Sequence, residues 1–164
     1  MTTAPLHPVD VFLMLIHGDR VLLALRRNTG YADGQWNLPS GKLEGDEDVL
    51  SAVIREAREE VGIRLARQAP RLVATVHHRG GPGHARVGLA FTAAFEPHHH
   101  GEPENAEPEK CAQIGWFPIA DLPPDTNSYT AACVRAFLDR TPLLLDGWPA
   151  SGGAGDAASG RVRR

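Results

Sequence analysis

The spacing of apolar positions changes along the chain, and each change marks an element. Residues 9–16 form a nearly unbroken apolar run and residues 21–25 a second, separated by the turn formers His17-Gly18-Asp19-Arg20. That pattern predicts a β-hairpin with a buried first strand. Arg26 and Arg27 close the second strand, residues 28–34 read as a loop, and Trp36-Asn37-Leu38 leads onward. Between residues 46 and 61 the period becomes helical, at about 100° per residue. Leu50, Val53, Ile54, Ala57 and Val61 then share one arc, the face a core would bury. Asp46 reads as the N-cap, Glu47 and Asp48 suit the positive end of the helix, and Gly62 is placed for a left-handed stop. Residues 72–78 and 87–95 predict two more strands, joined by a Gly-rich connection over 79–86. A polar loop follows over 96–111, then a short strand over 113–119, then a break at Asp121-Leu122-Pro123-Pro124. Residues 128–138 predict a second helix, capped by Ser128, with Ala131, Val134, Phe137 and Leu138 on one face. From Gly147 the chain turns to Gly, Ala and Ser and ends Arg161-Val162-Arg163-Arg164. Such a segment buries too little to order itself, so one domain is expected over 1–146 and a disordered tail over 147–164.

This order of elements predicts a mixed sheet between helices, an α/β or α+β sandwich. At 164 residues the chain suits a single core that needs no disulfide or structural metal. Lys and Arg total 17 against 20 Asp and Glu, which excludes a broad basic field for nucleic acid or membrane. Cys111 and Cys133 are two isolated cysteines, not a disulfide framework, and Cys133 suits a core. No basic region followed by an apolar stretch opens the sequence, and the run over 11–16 is too short to span a bilayer. A cytoplasmic protein with no membrane or nucleic-acid partner is the expectation; its oligomeric state is left open.

The chemistry concentrates between residues 41 and 63, G-K-L-E-G-D-E-D-V-L-S-A-V-I-R-E-A-R-E-E-V-G-I. Glu56, Glu59 and Glu60 follow i, i+3, i+4 and cluster on a second arc of the helix, with small Ala52 one turn earlier. Like charges at that spacing weaken a helix by a few tenths of a kcal/mol per pair. A solvated acidic face is the simple alternative, but the preceding turn-rich loop and the glycine stop favour a hard cation held by oxygen.

Gly41, Glu47, Arg55-Glu56, Glu59-Glu60 and Gly62-Ile63 match G-x5-E-x7-R-E-U-x-E-E-x-G-U, where U is apolar. The stretch resembles the Nudix box at every fixed position. Ser40, just before it, departs from the glycine often found there. The flanking W-N-L-P-S-G and W-F-P-I-A-D-L-P segments also look like family features and extend the likeness over residues 8–140. The resemblance implies an α/β/α sandwich with the box as loop–helix–loop. It implies a hydrolase of nucleoside diphosphate linkages that uses Mg²⁺, with Mn²⁺ able to substitute. Glu56, Glu59 and Glu60 become the metal- and water-handling acids, with Glu56 chosen as the base, and the Gly41 carbonyl becomes a further ligand. Glu47 and Arg55 become the pair that ties loop to helix, with Arg55 counted in the catalytic set. Family members often draw another acid from a later loop. Glu96, Glu102, Glu104, Glu107 and Glu109 are eligible, and Glu109 is chosen because Glu107-Pro108-Glu109-Lys110 resembles a segment of MutT-like hydrolases.

Arg26, Arg27 and Lys42 are placed for substrate phosphate, although solvated edge charges explain the arginines equally well. Trp36, Phe91 and Trp116 are open between stacking on a base and filling the core. His98-His99-His100 reads as a solvated tract, and the His77-His78 pair as packed or hydrogen-bonded. The proline that marks ADP-ribose hydrolases would fall near His78 and is missing, as is the tyrosine that marks diadenosine polyphosphate hydrolases, which would fall over 79–81. The extended coenzyme A and NADH signatures are also missing. The expected reaction is therefore hydrolysis of a nucleoside or deoxynucleoside triphosphate to monophosphate and pyrophosphate. The alternatives are a hydrolase of ADP-ribose or a nucleotide sugar, then an isomerase or a non-catalytic nucleotide sensor. An undisturbed box with no cysteine beside it argues against the last two.

Overall fold

A computed structural model describes residues 6–149. The chain runs β1 (Val9–His17), β2 (Arg20–Arg26), β3 (Trp36–Asn37), β4 (Ser40–Lys42), α1 (Val49–Val61), β5 (Arg71–Arg79) and β6 (Ala85–Ala94). It continues with α2 (Pro97–His100), β7 (Cys111–Pro118), α3 (Ser128–Leu138) and β8 (Leu143–Asp146). The strands join one mixed sheet in the order β3-β2-β1-β6-β5-β8, with β4 paired to β1 and β7 to β2. β1 runs parallel to β6 over eight residue pairs, and β5 runs parallel to β8. The β1–β2 hairpin is antiparallel, with Ile16 opposite Val21.

β1 explains the layering. Val11, Leu13 and Leu15 point to one face and pack with Ala52, Val53, Ala57 and Val61 of α1. Phe12 and Met14 point to the other and pack with Tyr129, Ala132, Cys133 and Ala136 of α3. Alternate residues thus go to opposite covered faces, which is why the strand reads as continuously apolar. Each such Leu or Val, fully buried, contributes about 1.5–3 kcal/mol. The α/β/α sandwich expected from the sequence is the fold. No helix among the described residues is long and apolar enough to cross a membrane.

Several local expectations are corrected. Asp48, not Asp46, caps α1: its carboxylate accepts the Leu50 and Ser51 amide N–H groups at 3.0 and 3.1 Å. Asn127, not Ser128, caps α3 by accepting the Tyr129 amide at 3.0 Å. In both places two capping residue types stand close together, and spacing alone does not choose between them. The buried face of α3 is centred on Tyr129, Ala132, Cys133 and Ala136, while Ala131 and Phe137 are half-buried and Leu138 is exposed. The 96–111 loop contains the short α2. β8 has no counterpart among the elements the sequence predicts, and the first residues of the expected tail lie against the sheet. The Trp148 indole donates to the His77 carbonyl at 2.8 Å, and a Cβ on Gly147 (φ 72°) would meet the Arg79 carbonyl oxygen at 2.3 Å. The expected disorder of the remaining tail, 150–164, falls outside the described residues.

Candidate active site

α1 is fixed at both ends. Asp48 holds the first turn and also accepts from Arg67 at 2.9 Å; its carboxyl is lowered to about 2, chiefly by the Ser51 amide and then by Arg67. Gly62 closes the helix with φ 70°. Between these caps Glu56, Glu59 and Glu60 project towards β4, whose pairing with β1 sets Gly41 opposite Val11. Gly41 is required there for space: a Cβ would fall 1.9 Å from Glu56 Oε1. The next strand residue back, Ser40, donates its amide N–H to Glu60 Oε2 at 2.9 Å.

Arg55 ties the loop to the helix. Its Nε and Nη2 donate to the two Glu47 carboxylate oxygens at 3.0 and 2.6 Å, Nη1 donates to Glu56 at 2.6 Å and Glu59 at 3.2 Å, and Nη2 reaches the Lys42 carbonyl at 3.2 Å. The Glu47 carboxylate also accepts the Glu44 amide at 3.0 Å. Hydrogen bonding to Glu47, then to Glu56, pushes the Arg55 guanidinium well above its ordinary range, and Arg55 in turn lowers Glu47.

The carboxylates beneath this network are under electrostatic load. Burial raises Glu56 above the usual range against the opposing pull of Arg55. Glu60 is half-buried as a residue, but its carboxylate is surrounded by protein. Burial raises it to about 8 despite the Ser40 amide, with the Glu56 charge adding to the rise. Clustered, desolvated acids of this kind are stabilised by a divalent cation, and the oxygen donors suit a hard one. Among the described residues no three acidic, His or Cys side chains converge as a finished cage. Arg55 and Ser40 now hold the oxygens that such an ion would share.

These acids open onto a cleft of about 740 Å³. Beside the glutamates its lining includes Arg26, Lys42, Glu107 and Lys110. Asp10, which stands opposite Lys42 in the β1–β4 pairing, lines it as well, with Tyr31, His78, Arg86, Asn127 and Tyr129. Of the residues expected at the site, the structure brings together Arg26, Gly41, Lys42, Glu56, Glu59 and Glu60, with Glu47 and Arg55 behind them. Two are elsewhere. Arg27 donates Nε to the Pro108 carbonyl at 2.8 Å and does not line the cleft. Glu109 also lies off it, and the cleft acid from that loop is Glu107, paired with Lys110 at 2.6 Å. The backbone explains the choice: Glu104 N–H to Val61 O and Ala106 N–H to Glu60 O, at 3.1 and 3.2 Å, tie the loop to the end of α1 just before Glu107.

Trp36, Phe91 and Trp116 do not line the cleft. Trp36 packs edge-on to Phe117, Trp116 lies against Phe95, and Phe91 is core. His78 donates its Nδ1–H to the Asp146 carboxylate at 2.7 Å, and His77 packs on Trp148, as expected of packed or hydrogen-bonded histidines. His98 and His99 are exposed, His100 is half-buried, and His99 meets Glu96 at 2.8 Å. Asp10, Arg86 and Tyr129 escaped sequence reasoning. One signal was available: Asp10 is a lone carboxylate in an otherwise apolar strand, and a buried charge there requires a cation.

With this geometry in view, the comparisons with known proteins agree. The NUDIX domain family model matches residues 6–137. The chain is 30% identical over 133 residues to the NAD-capped RNA hydrolase NudC of Stutzerimonas stutzeri, covering 80% of this chain and 44% of that one. It is 32% identical over 121 residues to the CTP pyrophosphohydrolase of Escherichia coli, covering 70% and 87%. Two of the curated relatives are spanned over only 40% and 44% of their lengths. The crystal structure of a MutT NUDIX hydrolase from Burkholderia pseudomallei superposes with a TM-score of 0.69 at 31% identity, over 79% of this chain and 97% of that one. Box, fold and relatives converge: this chain belongs to the Nudix hydrolase family.

Proposed function

We propose that the chain hydrolyses a nucleoside or deoxynucleoside triphosphate to the monophosphate and pyrophosphate, using Mg²⁺, for which Mn²⁺ can substitute. The observation that carries this reading is the mixture of charges that lines the cleft. Glu56, Glu59, Glu60 and Glu107 provide hard oxygen donors, while Arg26, Lys42 and Lys110 provide cations for phosphate oxygens. Glu56, Glu59, Glu60 and the Gly41 carbonyl would hold the metal, with Glu107 in place of Glu109. When bound, the ion neutralises phosphate charge and lowers the pKa of water. Glu56 then accepts the proton of the attacking water, whose oxygen bonds to phosphorus as the bridging P–O bond breaks and pyrophosphate leaves. A carboxylate raised by burial is a better base near neutral pH than an exposed one. Arg55 keeps the glutamates and the loop in register, and Arg26 and Lys42 orient the phosphate chain.

The likeness to a CTP pyrophosphohydrolase over most of both chains supports the triphosphate. The likeness to a hydrolase of NAD-capped RNA supports a second reading, a nucleoside diphosphate joined to another group, as in ADP-ribose or a nucleotide sugar. The test is pyrophosphate and monophosphate release from triphosphates, ADP-ribose and a nucleotide sugar, with and without Mg²⁺. Metal-dependent pyrophosphate from a triphosphate is expected. Monophosphate from ADP-ribose or the sugar nucleotide alone moves the substrate class, and metal-independent turnover refutes the mechanism.

A further inference from the structure

The segment that delivers Glu107 has no regular structure of its own. From Gly101 to Lys110 the chain contains neither helix nor strand, and Pro103 and Pro108 interrupt it. Holding each such residue in one conformation costs about 1–2 kcal/mol of backbone entropy. Anchors at two places offset that cost. One is the end of α1, where the Val61 and Glu60 carbonyls accept the Glu104 and Ala106 amides. The other is the end of β2.

There Arg27 and Asn28 grip three consecutive carbonyl oxygens. Arg27 donates Nε to the Pro108 carbonyl at 2.8 Å, and its Nη2 donates to the same oxygen. The Asn28 side-chain amide donates to the Glu109 carbonyl at 3.2 Å, and the Arg27 backbone N–H to that of Lys110 at 2.9 Å. Asn28 reaches its partner from a left-handed backbone, φ 55°, which asparagine tolerates better than most residues. Inside the turn so held, the Lys110 and Cys111 amides both donate to the Glu107 carbonyl at 2.9 Å. The turn is thus fastened behind, and the Glu107 side chain is left to enter the cleft. Burial is the main reason that Glu56 and Glu60 are raised, and the Glu107 charge adds to the rise in both. Neither Arg27 nor Asn28 lines the cleft.

We propose that Arg27 and Asn28 are positioning residues: they aim Glu107 at the ion that Glu56, Glu59 and Glu60 would hold, without touching ion or substrate. This rests on the reading of Glu107 as a metal-holding acid. The expected change has a sign that a charge effect cannot imitate. Arg27 is a cation, and removing a cation near a cation site strengthens metal binding by Coulomb's law. Loss of aim weakens it.

The experiment is titration of Mn²⁺ into the nucleotide-free protein, followed by the electron paramagnetic resonance of the free ion. The wild type is compared with Arg27→Ala, Asn28→Gly, Glu107→Gln and the double variant of Arg27→Ala with Glu107→Gln. Asn28→Gly keeps the left-handed backbone and removes the side chain. Arg27→Ala is expected to weaken Mn²⁺ binding about three- to tenfold, the scale of one hydrogen bond, and Asn28→Gly by less. Glu107→Gln is expected to weaken it at least as much, and Arg27→Ala to add nothing in the double variant. Amide exchange at Lys110 and Cys111 should quicken in Arg27→Ala as the turn loosens. Unchanged or tighter Mn²⁺ binding by Arg27→Ala, while Glu107→Gln weakens it, overturns the positioning role and leaves Glu107 a metal-holding acid. An additive double variant, or amide exchange at the wild-type rate, overturns the role as well. Unchanged binding in Glu107→Gln refutes Glu107 as a metal-holding acid, and the positioning role falls with it.

Discussion

One set of cleft residues comes from a single helix and the loop before it: Glu56, Glu59 and Glu60 lie within about one turn of α1, and Gly41 and Arg55 complete the arrangement from the same continuous segment. A second set, Asp10, His78, Arg86 and Tyr129, comes from β1, β5, β6 and α3, and none neighbours another in sequence. The first set is local and acidic; the second is long-range, ion-paired and aromatic. The difference teaches that two walls of one cleft can be encoded at different ranges. A short motif can carry the first, while the second exists only once the sheet has formed.

Substitutions can break this comparison, and the largest effect belongs to the local set. Glu59→Gln and Glu60→Gln are each expected to lower metal-dependent pyrophosphate release by about a hundredfold or more, while circular dichroism and nucleoside monophosphate binding stay near wild type. Full activity in both variants would refute the metal assignment. Arg55→Ala comes next. It strips partners from Glu47 and Glu56 at once, so kcat should fall and thermal unfolding should show a loss of about 2 kcal/mol, discounted for partial exposure of the pair.

The pH dependence sharpens the same set. Glu60 is raised in the folded chain, so folding favours its protonated form. Without divalent cation, stability should therefore fall as pH rises from about 4.5, the ordinary Glu value, to about 8, and level off above. Mg²⁺ should stabilise most at the upper end of that window, and Glu60→Gln should flatten the slope. Melting temperatures across pH, with Mg²⁺ or a chelator, read both effects. A rising metal-free slope in that window would contradict the burial of Glu60.

The smallest effects separate neighbours. Arg26→Ala should raise KM about tenfold, whereas Arg27→Ala should leave KM within about twofold and cost a little stability through the lost Pro108 contact. Glu107→Gln should likewise weaken Mg²⁺ dependence and Glu109→Gln should not. Steady-state kinetics on the paired variants distinguishes residues that sequence alone makes equivalent.

Much of the fold was legible because its signals are local. The hairpin announces itself by two apolar runs around a turn, and α1 by its arc and its glycine stop. β8 was hidden for a physical reason: Leu143–Asp146 is four residues long and gains its strand character only from parallel pairing with β5, far back in the chain. Arg26 ends β2 and Arg27 is the first residue beyond it, so adjacent arginines meet different environments, and the pairing that decides between them is a tertiary property. Glu107 and Glu109 stand two residues apart in the turn before β7, and the contacts of the preceding residues with the end of α1 bring Glu107 to the cleft. Tyr129 resembled any core aromatic on a helix. Only the geometry reveals that its hydroxyl is unpaired.

Asp146 has a consequence for the order in which the protein becomes complete. Its carboxylate meets His78 at 2.7 Å and Arg135 at 2.9 Å, joining β8 to the strand and the helix that enclose Tyr129. During synthesis the segment bearing the glutamates leaves the ribosome well before this residue does. A nascent chain can therefore display the box glutamates while the wall of the cleft built on β5 and α3 still lacks its last brace. Completion of the cleft, on this account, waits for the last strand of the sheet.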